Sequence, residues 1–172
     1  MKLAELAFSC YVYSRMTDYD SSYLQFLRKT EPQLDLGNEQ HCKALLKWLN
    51  DWGCRQFAIN YHGQASEEIR KWFIDFGKQL ISIDKTILDL TEDDFASVKS
   101  VYAELVNKTA SLRDLRSGGQ SEVEFGPTGT AKILFALRPN SYIPWDEPMR
   151  TKFQLDGSAG DYVKFLKKLG II

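Results

Sequence analysis

The chain has 172 residues, 44% apolar and 13% aromatic, which suffices for one domain with an ample core and excludes a disordered chain. No apolar run approaches the roughly 20 residues of a membrane span. The formal net charge of −1 excludes a general attraction to nucleic acid, yet residues 99–172 hold 11 Lys and Arg against 8 Asp and Glu, a mildly basic half. Met1 to Leu6 includes an early acid and lacks the apolar stretch of a secretory leader. Cys10, Cys42 and Cys54 are odd in number and irregular in spacing, the pattern of free thiols in a reducing compartment, so a cytoplasmic protein is expected. His41 with Cys42 and Cys54 lacks zinc-ligand spacing and a fourth ligand. Neither a metal nor a cofactor is expected.

Taken in order, Leu3 to Tyr13 is an apolar segment suited to a helix on the core, although Cys10 to Tyr13 would also suit a strand. Ser21 or Ser22 caps a short helix through Lys29, with Tyr23, Leu24, Phe26 and Leu27 as its apolar face. Pro32 and Gly37 bracket a loop. Asn38 caps the next helix, in which Cys42, Leu45, Leu46, Leu49 and Trp52 recur at helical spacing before Gly53. Trp48 falls off that stripe, toward a second lobe. His62 sits in a polar loop, and Ser66 caps a helix through Lys78 whose buried stripe is Ile69, Trp72, Phe73 and Phe76. Leu80 to Leu90 reads as a looser linker, pinned by Ile81, Ile83 and Ile87. Thr91 and Asp94 form a capping pair opening a helix in which Phe95, Val98, Val101, Tyr102 and Leu105 repeat. Asn107 to Ser121 is polar, contains Gly118-Gly119 and carries Arg113 and Arg116; a mobile loop is expected. Leu155 to Gly160 is a turn. Tyr162, Val163, Phe165, Leu166 and Leu169 complete an amphipathic final helix with Lys164, Lys167 and Lys168 outward.

The stretch Phe125 to Arg150 stands apart. Gly126, Pro127 and Gly129 make a tight turn, and Pro127 suits the first turn of a helix. Thr128 offers a cap. Ala131, Ile133, Leu134, Phe135, Ala136 and Leu137 then form a helix apolar around most of its circumference, ended by Arg138-Pro139. After a loop fixed by Pro139 and Pro144, Asp146 with Glu147 and Pro148 reads as a helix start.

This order, a glycine turn, Thr130-Ala131 opening a buried helix, a loop, then Asp146 capping a helix with Arg150 one turn on, resembles the helix-hairpin-helix superfamily of DNA glycosylases. The resemblance covers about Gly118 to Arg150. It implies an all-α bundle of about seven or eight helices in one domain, 1–172, with a cleft between residues 1–110 and 120–172. It also implies that duplex DNA is the partner, that Asp146 is the catalytic acid, and that Gly126, Thr128, Gly129, Thr130, Lys132 and Arg150 meet phosphate. Tyr142 and Trp145 would line the pocket for a flipped base. No Lys occupies the position upstream of the turn at which the superfamily would form a Schiff base, so the implied chemistry is monofunctional hydrolysis.

A second reading needs no chemistry. Asp146 is fully explained as a helix cap, and the fold then serves as an interaction module for a protein partner. The two readings part on geometry: an enzyme needs Asp146 at an open cleft, and a module needs an exposed apolar patch. A small-molecule enzyme using His62 with an Asp has no motif behind it.

Overall fold

The computed structural model describes residues 17–170. The apolar segment Leu3 to Tyr13, and Cys10 within it, lie outside the described residues. Among those described, seven α-helices and one two-stranded sheet follow in order: α1 (Tyr19–Lys29), α2 (Glu39–Asp51), α3 (His62–Phe76), α4 (Glu92–Val106), β1 (Thr109–Asp114), β2 (Gln120–Glu124), α5 (Gly126–Leu137), α6 (Glu147–Phe153) and α7 (Ala159–Gly170). The protein is mostly helical, as its apolar spacing predicts.

Local punctuation sets several boundaries. Asn38 accepts a hydrogen bond from Gln40 N–H at the start of α2, and Gly53 follows its end with φ +78°. At α4 the capping box is complete: Thr91 accepts from the Asp94 N–H, and the Asp94 carboxylate accepts from the Thr91 N–H at 2.8 Å. Lys85 donates to the same carboxylate at 2.6 Å. Its bond, with those from Thr91, holds the Asp94 carboxyl down at about 2.

Other expectations are corrected. Asn107 to Ser121 is no mobile loop. It forms most of an antiparallel hairpin, with Ser111 opposite Val123 and Asp114 opposite Gln120. Ser66 caps nothing: α3 begins four residues earlier, at His62, and Ser66 is buried within it. His62 is accordingly a first-turn residue and not a loop residue; its Nε2 lies 3.0 Å from Asn50 Nδ2 and 3.2 Å from Phe57 O. Neither Ser21 nor Ser22 caps α1, which begins at Tyr19. Trp48 does not face a second lobe. It is buried against Phe26, with ring centroids 5.0 Å apart, because α1 covers that side of α2. Ile83, assigned to pin the linker, is exposed; Ile81 is in the core and Ile87 packs half-buried against it.

The core is continuous, from Phe26 and Trp48 at the α1–α2 end through Val101, Ile133 and Leu134 to Phe165 and Leu166 on α7. Helix α5 runs through its middle, with seven of its twelve residues buried. Its apolar circumference finds α2 on one side and α4 on the other.

Candidate functional site

The Phe125–Arg150 stretch folds back so that its two helix starts are joined. Pro127 is in the first turn of α5, and its carbonyl accepts the indole N–H of Trp145 at 3.0 Å. Tyr102 from α4 packs edge-on to Trp145, with centroids 6.2 Å apart, and donates its hydroxyl to Gly157 O at 2.9 Å. Tyr162 from α7 stacks on Tyr102 at 4.7 Å and meets Trp145 at 5.0 Å. Its hydroxyl donates to Ile143 O at 3.0 Å. Three aromatic rings thus clamp the corner that precedes Asp146.

Asp146 itself is exposed. It takes an extended conformation as N-cap of α6, and its Oδ1 accepts from Met149 N–H at 2.8 Å. It stands on a hollow of about 180 Å³ lined also by Tyr19, Trp52, Lys132, Pro144, Trp145 and Met149. Lys132, reaching from the second turn of α5, donates to Trp52 O at 2.6 Å and lies 5.4 Å over the Trp52 ring. The hollow therefore offers an indole wall, an ammonium held against that wall, and a carboxylate on its rim. A larger hollow of about 580 Å³ lies by the start of α1, among Thr17, Asp18, Ser21, Ser22, Gln25 and Asp51. It is wide and polar, and its described lining carries the carboxylates of Asp18 and Asp51 and the hydroxyls of Ser21 and Ser22.

The remaining sequence-derived residues divide. Gly126 opens α5 at φ +65° and is half-buried. Thr128 is half-buried in the first turn and does not cap; Phe125 is the N-cap, and no side chain caps the helix. Gly129 is buried: a Cβ there would come within 2.7 Å of Gln56 Nε2 and 3.0 Å of the Phe57 ring. Its lack of a side chain lets α5 pack closely on the turn that carries Gln56 and Phe57. Thr130 is wholly buried, its Oγ1 without a hydrogen-bond partner. The outward part of the turn is thus Gly126 to Thr128, where helix geometry leaves first-turn N–H groups without intrahelical acceptors.

Tyr142 does not line the hollow. It is fully buried, and its hydroxyl accepts from Ile81 N–H at 3.4 Å; burial pushes that phenol up to about 12. Trp145 reaches the hollow with little more than an edge, being 1% exposed. Arg150 makes no ion pair with Glu147. Its guanidinium lies 5.9 Å from the Trp145 ring centroid, and its Nε is buried without a partner.

Trp52, Tyr19, Pro144 and Met149 are the lining residues that the sequence did not single out for a site. Trp52 ends the α2 stripe, and its indole N–H donates to Tyr19 O at 3.1 Å. Its place directly before Gly53, at a helix end, is the one local sign that its ring has an open side. Among the described residues, no cluster of three or more His, Cys, Asp or Glu could hold a metal ion. No helix among them is long and apolar enough to cross a membrane. Comparison with protein-family models, with curated proteins and with solved structures gives no match to this chain.

Proposed function

We propose that the chain is a DNA-binding protein of helix-hairpin-helix glycosylase type that hydrolyses the N-glycosidic bond of a base turned out of a duplex. The observation carrying this reading is the position of Asp146, an exposed carboxylate at the edge of an indole-walled hollow with Lys132 beside it. Such a wall suits the face of a planar base, since aromatic side chains stack on any base. In this reading the bond between C1′ and the base nitrogen breaks with its electron pair going to the base. A water oxygen adds to C1′, and its proton is carried off by Asp146 or passed to the departing base. The negative charge of Asp146 also stabilises the cationic sugar that develops. The Gly126–Thr128 turn and Arg150 are the proposed phosphate contacts, with first-turn N–H groups supplying the donors.

The test is fluorescence anisotropy with a duplex carrying an abasic-site analogue and with the same duplex unmodified, at low and at moderate salt. A preference for the abasic analogue, with affinity falling as salt rises, supports the reading and licenses a screen of damaged bases. Absence of binding at low salt overturns it. The second reading, a non-catalytic module with a protein partner, rests on a different observation: Leu88 is 73% exposed beside Ile87, Leu90 and Phe95 at the α4–α7 end. A chain that ignores DNA is better described by that surface.

A further inference from the structure

Two exposed features of the chain are opposites of one another. The first is the tip of the β1–β2 hairpin. Leu115 is 41% exposed there, between Arg113 and Arg116. Both arginines are exposed, and they form no ion pair among the described residues. The tip is held in one shape. Leu115 N–H donates to Gly119 O at 3.0 Å, and Gly118 N–H donates to Leu115 O at 3.0 Å. Gly118 and Gly119 take φ of +87° and +81°, which other residues adopt only with strain. Asp114, the acid of the tip, is occupied by Gln120 Nε2 at 3.0 Å.

The second feature is a hollow of about 230 Å³ at the start of α4, walled by Ile87, Leu88, Leu90 and Phe95. It too is held in one shape. The Asp89 carboxylate accepts from Thr86 N–H at 2.9 Å and from the Thr86 hydroxyl at 2.7 Å, and Ile87 N–H donates to Asn140 O at 2.8 Å. Leu88, on that turn, is nevertheless 73% exposed. Acids predominate around the hollow. Lys167, its one lining cation among the described residues, is matched by Glu92 at 2.6 Å, and Asp94 is matched by Lys85. Asp89 and Asp93 remain, both exposed and in no ion pair among the described residues.

A leucine between two cations and an apolar hollow beside two carboxylates are complementary. Within one chain they lie apart. Helix α4 runs from the hollow, at Glu92, toward the hairpin, which begins at Thr109, and its 15 residues span about 22 Å. The hairpin is tied instead to the turn before α3, by Ser111 Oγ to Gln56 O at 2.7 Å and by Gln120 Nε2 to the Tyr61 hydroxyl at 3.4 Å. A tip so tied reaches such a hollow only on another copy. We propose that the occupant of the Leu88 hollow is the hairpin tip of a second copy of this chain, with Leu115 in the hollow and Arg113 and Arg116 against Asp89 and Asp93. Because two different surfaces of identical chains meet, the contact is head-to-tail, and copies add until a ring closes. Both surfaces are shaped before they meet, so little ordering entropy is lost. The contact is small, so the association is weak, and its charge pairs make it sensitive to salt. The inference gives a named occupant to the surface on which the protein-partner reading rests, and it makes no use of DNA.

The test is sedimentation velocity of the full chain over a range of concentrations, at low and at moderate salt. The wild-type weight-average mass should rise with concentration, pass the dimer, and fall back as salt is added. Two variants divide the interface: Arg113→Glu/Arg116→Glu at the tip and Leu88→Ser/Asp93→Asn at the hollow. All four positions are exposed, and circular dichroism checks that each variant folds. Each variant alone should stay at the monomer mass. Mixed in equal amounts they should form a 1:1 complex and stop there, because the tip variant keeps a working hollow and the hollow variant keeps a working tip. Misfolded chains would not recover association on mixing. A wild type that is monomeric at every concentration overturns the proposal and leaves the hollow to a foreign partner. Association that survives in the tip variant also overturns it, since like surfaces would then be meeting about a two-fold axis. So do two monomeric variants that fail to combine. None of these outcomes touches the DNA reading, which the anisotropy experiment decides separately.

Discussion

Trp145 and Asp146 are neighbours in the chain with opposite surroundings. Trp145 is held by Tyr102, Tyr162 and the Pro127 carbonyl, and is almost wholly buried. Asp146 is in solvent, with a bond from its own helix. The contrast teaches that the candidate site is positioned from behind. Among the described residues the Asp146 carboxylate is held by its own helix through the Met149 N–H; the aromatic clamp fixes the corner, and the corner delivers the acid. The clamp should therefore govern stability, and the acid should be nearly free of it.

Removing the clamp is the harshest way to test that separation. Trp145→Ala vacates a fully packed site and takes from Pro127 O its closer side-chain donor, leaving the Tyr102 hydroxyl at 3.4 Å, and should cost about 3–5 kcal/mol. Urea unfolding followed by far-UV circular dichroism measures it; a loss below about 1 kcal/mol would mean that the clamp does not hold the corner. Gly157→Ala comes next. A Cβ there would lie 2.6 Å from Pro127 Cγ and 2.9 Å from Arg150 Nη1, at φ +95°. Overpacking costs about 1–3 kcal/mol and the left-handed backbone about 1 more. The same unfolding measurement should place it between Trp145→Ala and the capping variants.

A milder probe lies away from the corner. The Asp94 carboxyl is held down at about 2, first by Lys85 and then by the Thr91 backbone and hydroxyl, against an ordinary 3.8. A group depressed on folding stabilises above its unfolded value, so its contribution is present at neutral pH and is lost as pH falls from about 4 to about 2. Asp94→Asn should cost about 1 kcal/mol at neutral pH and flatten the stability profile across that window. An unaltered acid profile in the variant would show that other carboxylates dominate there.

The same contrast separates what the sequence shows from what it hides. The α5–α6 unit is legible because its punctuation is local: Pro127 in a first turn, Arg138-Pro139 at an end, and Asp146 three residues before the N–H it caps. The Thr91–Asp94 box is legible for the same reason. The hairpin is hidden because Thr109 and Val123 are its only β-branched residues. Its strands are held instead by partners far along the chain, such as Gln56 for Ser111. The start of α3 is hidden because Glu67 and Glu68 imitate a first turn that stands four residues upstream. The hollow was only half visible: Lys132 and Asp146 lie within the stretch, but Trp52 and Tyr19 arrive from the ends of two other helices. The inward turn of Tyr142 depends on Ile81, a partner 61 positions away.

The smallest expected change in stability is the one that decides the function. Asn caps a helix about as well as Asp, so Asp146→Asn keeps the acceptor for Met149 N–H and should shift stability by only a few tenths of a kcal/mol. Asp146→Ala removes the acceptor and should cost about 1 kcal/mol. If Asp146 is only a cap, binding and any base release should follow stability, with Asn close to wild type and Ala impaired. If its charge serves the chemistry, both variants should lose base release, and the Asn variant should do so while unfolding at nearly the wild-type urea concentration. Single-turnover release from a duplex bearing a processed base, measured for wild type and both variants, separates the two. Equal release by wild type and Asp146→Asn would leave the carboxylate no role beyond the first turn of α6.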